Sequence, residues 1–267
     1  MKVAVAGAGD IAKYLVEALR NQDYDVVILT RSPKPFFKKL EQRTTDYSLE
    51  SIRPHLADCD ALISSITGYA TDFPLYVGDD LSVILDELRD QDAVKWTFFC
   101  QGWMSDYLLP ASQRHFADYG DRWVQNYEKQ EFTLYGNGSQ KVDFTSAKDA
   151  TRAVAVLLNH DPSTWENFTC VSGQQMTWLE LAELVKSRFS GYTVVKKSLA
   201  QTIKQLVAKK SDASVAVAVY EIMGHSEALA FSPAKIAEHR KKYFKGLRFR
   251  TVAELLDDAA AHPANIA

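Results

Sequence analysis

The sequence predicts an α/β fold in which a doubly wound parallel sheet is followed by a smaller C-terminal region. Short apolar runs recur at residues 2–6, 26–29 and 61–66, and they alternate with patterns of helical period. A glycine-rich turn joins the first run to the first helix. A chain of 267 residues has room for one large domain and an appendage. We therefore expect one domain over residues 1–160 and a second region over 161–267.

Composition excludes several classes of protein. Apolar residues make up 46% of the chain and charged residues 24%, which is typical of a globular protein. The net charge of -3 gives no reason to expect a nucleic acid or an acidic membrane surface as partner. No apolar run is long enough to span a bilayer, and we expect no targeting segment before the first strand. We expect a cytoplasmic protein that acts on a small molecule, with its oligomeric state undecided.

The cysteines and histidines predict no metal site. Cys59, Cys100 and Cys170 lie far apart in the sequence, and no H-x-x-x-H spacing occurs. An odd number of cysteines without a secretion signal is typical of buried, reduced thiols.

The glycine-rich turn after the first predicted strand has the pattern G-x-G-x-x-A. Gly7 allows a tight turn, and Gly9 lets the backbone approach a pyrophosphate. Ala12 is small enough for close packing of helix on strand. The phosphates would lie at the helix N-terminus, near Asp10 and Ile11, where N–H groups and the helix dipole favour negative charge. The turn predicts a Rossmann-type dinucleotide-binding unit.

The end of the second predicted strand indicates which dinucleotide binds. NAD sites carry Asp or Glu at this place, to bond the ribose 2′-hydroxyl. This chain has Thr30, Arg31, Ser32 and, two residues later, Lys34. Arg31 can pair with a 2′-phosphate, and Ser32 and Lys34 add hydrogen-bond donors. The sequence therefore predicts NADP as the cofactor.

Further elements follow in an alternating order. The patterns predict a third strand over residues 42–47, a short helix over 48–56 and a fourth strand over 61–66. The fourth strand is continuously apolar, as strands of parallel sheets are. Its C-terminal end lies at the sheet edge where nucleotides bind, so we expect Ser65, Ile66 and Thr67 to border the cofactor.

The second half of the chain contains weaker signals. Thr177 and Glu180 form a T-x-x-E capping box, which predicts a helix extending to Lys186. Periodicity leaves residues 215–220 undecided between a strand and a buried helix. The remaining patterns predict a strand over residues 192–195 and helices over 198–209, 232–240 and 251–262.

The sequence resembles the NmrA-like, isoflavone-reductase-like branch of the atypical short-chain dehydrogenases, especially its fungal members. The matching segments cover most of the chain: GAGDIA at residues 7–12, ILTRSPK at 28–34, and residues 45–48, 59–65, 96–104, 136–138 and 144–154. The resemblance implies that substrate lies between the C-terminal region and the nicotinamide end of the sheet. It implies substrate-binding roles for Gln101, Trp103 and Tyr107.

Two departures from the family pattern concern the catalytic region. The chain after Gly68 is too short for the helix and strand that the family has there. Enzymes of this kind often use Y-x-x-x-K, whereas Tyr76 is followed by Asp80, and no lysine occurs between Lys39 and Lys95. We expect Tyr76 to act as an acid or hydrogen-bond donor and Asp80 as a general base.

Three functions are compatible with the sequence. The first is an NADP(H)-dependent oxidoreductase of a small apolar or aromatic substrate from secondary metabolism. The second is an isomerase or cyclase of the same fold that binds NADP without net redox chemistry. The third is an NmrA-type redox-sensing regulator without catalysis. The aromatic residues near the expected cleft favour an apolar ligand, and hence an enzyme.

Overall fold

The computed structural model describes residues 1–66 and 85–267. The predicted site residues Thr67, Tyr76 and Asp80 lie outside the described residues. The chain divides into two compact units, Met1–Phe99 with Thr151–Thr169, and Cys100–Ala150 with Cys170–Ala267. The sequence predicted a single boundary after residue 160. Each unit instead combines two separate segments, because the chain passes between them within β5 (Phe98–Cys100), β10 (Phe168–Cys170) and α3 (Ala147–Leu157).

The first unit contains a four-stranded parallel sheet with the strand order β3-β2-β1-β4. Its strands and helices are β1 (Lys2–Ala6), α1 (Asp10–Arg20), β2 (Asp25–Thr30), β3 (Glu41–Thr44), α2 (Leu49–Leu56) and β4 (Ala61–Ser64). The central strands β1 and β2 are almost wholly buried, which explains why they are apolar without alternation. The α/β class with a parallel sheet is confirmed.

Helix α1 packs on this sheet through its apolar face. Its buried side chains include Leu15 and Leu19, at the spacing that the sequence pattern predicted. Ala12 is fully buried, as a residue in close helix–strand packing must be. Strands β3 and β4 end at Thr44 and Ser64, earlier than predicted. The backbone of Tyr47, with φ +68°, cannot continue an extended strand.

The second unit contains two three-stranded sheets, ordered β11-β9-β6 and β12-β8-β7. Its strands are β6 (Trp103–Met104), β7 (Gln125–Asn126), β8 (Glu131–Tyr135), β9 (Lys141–Thr145), β11 (Gln174–Thr177) and β12 (Thr193–Lys197). Its helices are α4 (Trp178–Arg188), α5 (Leu199–Ala208), α6 (Asp212–His225), α7 (Pro233–Lys242) and α8 (Val252–Ala261).

Local capping signals fix several of these helices. The capping box of Thr177 and Glu180 is formed at the start of α4, as predicted. The undecided run of residues 215–220 is helical and lies inside α6. Ser211 caps that helix through Ser214, and this polar signal upstream of the run selects a helix over a strand.

The core of the second unit surrounds the indole of Trp178. Its ring meets those of Phe144, Tyr135 and Trp123 edge to face, and its Nε1–H donates to the Gly224 carbonyl at 2.9 Å. Because its N–H donor is hydrogen-bonded, this large side chain is buried without the cost of an unsatisfied polar group.

The three cysteines are partly exposed rather than buried, which corrects the sequence prediction. Cys100 and Cys170 end β5 and β10, and Cys59 lies in the turn before β4. Strand ends and turns are covered by fewer side chains than the sheet centre, and this accounts for the exposure. Within residues 1–66 and 85–267, no three His, Cys, Asp or Glu side chains gather as a metal site would require. None of the described helices is long and apolar enough to cross a membrane.

Candidate functional site

The two glycines of the glycine turn (residues 7–9) differ in their surroundings. Gly7 has φ +100°, and a Cβ there would lie 2.9 Å from Ser65 Oγ and 3.0 Å from the Ser65 carbonyl carbon. Gly9 has φ -85°, and a Cβ there would meet nothing within 4 Å. The fold therefore requires Gly7, whereas the backbone at Gly9 borders unfilled space. A group approaching the backbone closely finds room at Gly9.

Helix α1 begins at this turn without a side-chain cap. A helix start leaves backbone N–H groups that an anion can accept from, and the helix dipole adds to the attraction. The Asp10 carboxylate accepts a hydrogen bond from Lys13 Nζ at 2.9 Å, so its charge is balanced within the first turn. Ile11 packs against the hydrophobic core of the unit. For Asp10 and Ile11 the groups suited to a ligand are thus the backbone N–H groups.

Three exposed polar residues follow β2. Arg31, Ser32 and Lys34 are all exposed, and Lys34 Nζ donates to Ser32 Oγ at 3.3 Å. Thr30 Oγ1 donates to the Ser32 carbonyl at 2.8 Å, which shapes the turn. Arg31 forms no hydrogen bond or ion pair with another described residue. An exposed guanidinium without a carboxylate partner is suited to binding an anion.

The Ser65 hydroxyl, just after β4, forms its hydrogen bond within the sheet. Ser65 Oγ donates to the Ala6 carbonyl at 2.9 Å, and the Ser65 N–H donates to the same carbonyl at 2.8 Å. These bonds tie the ends of β1 and β4 together beneath the glycine turn. Ile66 is 42% exposed, so it presents apolar surface at this edge.

Sequence reasoning assigned no role to Tyr47, whose hydroxyl touches the glycine turn. Tyr47 Oη donates to the Leu29 carbonyl at 2.7 Å and accepts from the Gly7 N–H at 3.1 Å. The only sequence signal was its membership of the matching segment 45–48. That segment predicts neither the backbone conformation of Tyr47 nor its hydrogen bond with Gly7, which lies 40 residues away in the sequence.

In the second unit, two of the three predicted substrate residues lie in one aromatic cluster. The cluster consists of Trp103, Tyr107, Tyr119, Trp123 and Tyr220. Trp103 stacks on Trp123 at 5.2 Å, and Tyr107 lies 5.0 Å from Tyr119, both between ring centroids. Trp103 Nε1 is buried and has no hydrogen-bond partner among the described residues.

The third predicted substrate residue, Gln101, has a different environment. Its backbone carbonyl accepts from Thr145 Oγ1 at 2.7 Å, and it is half-buried. Gly102 follows with φ +68°, and a Cβ there would lie 2.2 Å from the Asp143 carbonyl oxygen. The segment is thus held tightly against β9, and this fixes the start of β6 and the placement of Trp103.

Sequence reasoning missed Tyr119, Trp123 and Tyr220. Tyr119 and Tyr220 share a hydrogen bond of 2.8 Å between their hydroxyls although they lie 101 residues apart. Burial raises the pKa of Tyr220 to about 12 and also raises the pKa of Tyr119. Both therefore stay protonated at neutral pH and can donate a hydrogen bond. No spacing in the sequence connects these positions.

A cavity of about 400 Å³ adjoins this cluster through Trp123. Its lining contains both polar and apolar side chains. Glu221, 4% exposed, lines it, forms an ion pair with Lys197 and accepts from Thr202 Oγ1 at 3.0 Å. The walls thus combine an aromatic ring with charges of both signs.

The buried carboxylate of Asp106 has a structural partner. It is fully buried, and its Oδ2 accepts from the Ala147 N–H at 2.7 Å, at the start of α3. Burial raises its pKa to about 6, against the opposing effects of this hydrogen bond and the charge of Arg250. Asp106 Oδ2 thus satisfies a backbone N–H at the start of α3, whereas Asp106 Oδ1 is buried with no hydrogen-bond partner among the described residues.

Comparisons with known proteins agree with this architecture. No family model matches the sequence. The chain is similar to a binary complex of leucoanthocyanidin reductase with NADPH from Vitis vinifera (TM-score 0.71, 16% identity, 98% of this chain and 100% of that chain). It is also similar to the NADPH-dependent quinone oxidoreductase QOR2 of Escherichia coli in complex with NADPH (TM-score 0.69, 16% identity, 97% and 99%). At these identities the likeness concerns the fold, and it confirms the Rossmann-type class.

Two curated relatives extend over the whole chain. Both are named oxidoreductase swnR. The protein from Metarhizium robertsii is 31% identical over 304 residues, and that from Arthroderma benhamiae is 29% identical over the same length. Each alignment covers 100% of both chains. The aligned length exceeds the 267 residues of this chain, so both relatives contain segments without a counterpart in it. An identity of 31% in an alignment that covers all of both sequences shows that this protein belongs to the swnR oxidoreductase family.

Proposed function

We propose that the protein is an NADP(H)-dependent oxidoreductase of NmrA-like type that acts on a small apolar or aromatic substrate of secondary metabolism. The observation that carries the cofactor proposal is Arg31. Its exposed guanidinium follows β2, where NAD sites usually carry a carboxylate, and it pairs with no described side chain. The names of the relatives and the NADPH in two structural neighbours support the same assignment.

The residues at the sheet edge fit this cofactor. The unfilled space at Gly9 gives a diphosphate access to the backbone, and the uncapped start of α1 supplies N–H donors. Arg31, Ser32 and Lys34 would hold the 2′-phosphate. When bound, the nicotinamide supplies or accepts a hydride, and the protein's own residues bind and orient the reactants.

The aromatic cluster supports an apolar or aromatic substrate. Trp103 and Tyr107 are only partly buried and belong to a group of packed aromatic rings, whose faces and edges suit an apolar or aromatic ligand. We retain Tyr76 and Asp80 as the proposed catalytic residues and Gln101, Trp103 and Tyr107 as substrate-binding residues.

One sequence feature favours a second function. Because residues 40–94 contain no lysine, the lysine-assisted tyrosine that the family resemblance implies has no candidate in this stretch. An isomerase or cyclase that keeps NADP bound needs no such pair. Loss of NADPH absorbance on turnover identifies the oxidoreductase, and turnover without net oxidation identifies the isomerase. Bound cofactor with no turnover on any substrate would instead support a redox-sensing regulator.

Calorimetric titration of NADPH and NADH tests the cofactor proposal. A charge-assisted, bidentate phosphate contact of about 1.5–3 kcal/mol predicts a preference for NADPH of roughly 10- to 150-fold. Arg31→Ala should abolish most of that preference and leave NADH affinity unchanged. Arg20→Ala, an exposed arginine in the last turn of α1, is the matched control. Equal affinities in the wild type, or unchanged NADPH affinity in Arg31→Ala, would refute the assignment.

A further inference from the structure

The hydroxyl of Tyr47 closes a three-membered hydrogen-bond group at the carboxyl ends of the strands. The Gly7 N–H donates to the Leu29 carbonyl at 3.0 Å and to Tyr47 Oη at 3.1 Å. Tyr47 Oη in turn donates to that carbonyl at 2.7 Å. The first residue of the glycine turn is thus held by β2 and by a side chain from the segment after β3.

The reach of this side chain depends on an unusual backbone. Tyr47 has φ +68°, a left-handed conformation that residues with a bulky side chain rarely adopt. Local bonds hold it there: the Tyr47 N–H donates to Thr45 Oγ1 at 3.0 Å, and Ser51 Oγ donates to the same oxygen at 2.9 Å. Thr45 is itself buried. A strained residue fixed by its surroundings indicates a constraint beyond chain reversal.

Tyr47 also lies between the two parts of the cofactor site. Its hydroxyl contacts Gly7 at the glycine turn, and the charge of Arg31 acts on the same hydroxyl. Its ring packs against the buried cluster that includes Ala6 and Leu29. Burial raises the pKa of Tyr47, so the hydroxyl stays protonated and keeps its donor role at neutral pH.

We propose that Tyr47 is a positioning residue that holds the glycine turn in the geometry required for the cofactor diphosphate. This inference rests on the proposed NADP(H) function. Gly7 keeps its bond to Leu29 when the hydroxyl is removed, so the fold survives while the turn gains freedom. The diphosphate is common to NADPH and NADH, and loss of the hydroxyl therefore weakens both by the same factor.

Calorimetry on Tyr47→Phe, with urea denaturation of the same variant, tests this. NADPH and NADH affinities should each fall by about 3- to 30-fold, equivalent to one ordinary hydrogen bond or somewhat more. The preference for NADPH should stay unchanged, unlike in Arg31→Ala. Tyr24→Phe is the matched control, because Tyr24 Oη donates to the Ala155 carbonyl and Asn159 Oδ1 at the amino-terminal edge of the same sheet. It should cost similar stability and leave both affinities unchanged.

Three outcomes of these titrations would overturn the positioning role of Tyr47. Wild-type affinities in Tyr47→Phe overturn the positioning role while the cofactor assignment stands. Equal losses of affinity in Tyr47→Phe and Tyr24→Phe also overturn it, because general destabilisation then explains the effect. A wild-type protein that binds neither nucleotide overturns the proposed function and this inference with it.

Discussion

Replacing the two glycines of the glycine turn one at a time separates the needs of the fold from those of the ligand. At Gly7 an alanine would adopt φ +100° and place its Cβ within 3.0 Å of the Ser65 backbone. The backbone strain costs about 1–3 kcal/mol and the overpacking a similar amount. Gly7→Ala should therefore lower the free energy of unfolding by about 2–6 kcal/mol.

At Gly9 the same reasoning gives the opposite result. Its φ of -85° and ψ of -163° suit any L residue, and a Cβ there meets nothing within 4 Å. Gly9→Val should change the free energy of unfolding by less than about 1 kcal/mol. Its branched side chain would occupy the space where the diphosphate approaches the backbone. NADPH affinity should fall by at least about 100-fold.

Urea denaturation and calorimetric NADPH titration of both variants measure the two effects. If Gly9→Val binds NADPH like the wild type, the diphosphate does not lie on this turn. If Gly9→Val is destabilised as much as Gly7→Ala, the space at Gly9 is not the property that distinguishes the two positions. Wild-type stability of Gly7→Ala would show that the turn tolerates a side chain at its first residue.

The remaining predictions concern two carboxylates. Since burial raises the pKa of Asp106 to about 6, the native state binds an extra proton between the ordinary value near 4 and 6. The contribution of Asp106 to the free energy of unfolding should thus fall by up to about 3 kcal/mol as pH rises from 4 to 7. Urea denaturation across this range should show the free energy of unfolding falling with pH in the wild type and in the exposed control Asp121→Asn. Asp106→Asn should lack this dependence on pH. The same dependence in all three proteins would contradict the effect assigned to the burial of Asp106. Asp80→Asn should slow turnover by about 10²- to 10⁴-fold with little change in NADPH affinity, as expected for a general base. A wild-type rate in stopped-flow assays would refute the role of Asp80 as a general base.

The glycine turn and the segment after β2 could be predicted largely from sequence, because their signals are local. Gly7, Gly9 and Ala12 belong to one turn, and Arg31 follows the next strand directly. Backbone conformation, helix start and strand pairing there depend on neighbours within about 30 residues, the size of a βαβ unit. The predicted ends of β3 and β4 were less accurate. The hydrogen bonds of Ser65 and the left-handed backbone conformation of Tyr47 depend on tertiary contacts.

The arrangement of the second unit could be predicted only in part. Trp103 and Tyr107 were identified through the family resemblance, and the structure places both in one aromatic cluster. Tyr119, Trp123 and Tyr220 join them through packing across distant segments, which periodicity cannot show. The cavity beside Trp123 contains the buried charge of Glu221, which has Lys197 and Thr202 as partners. A buried charge depends on such pairing, and pairing is a property of the folded chain.

The sequence by itself determined the class of the fold, the glycine turn and the cationic residue that follows β2. These features follow from short-range geometry: which residues tolerate a turn, which pack in a parallel strand, and which side chain can pair with a phosphate. Only the tertiary structure decided that Gly7 serves the fold while Gly9 borders unfilled space. It alone brought Tyr47 to the turn from 40 residues away, because the closure of a hydrogen-bond group across three strand ends requires the whole sheet to be assembled first.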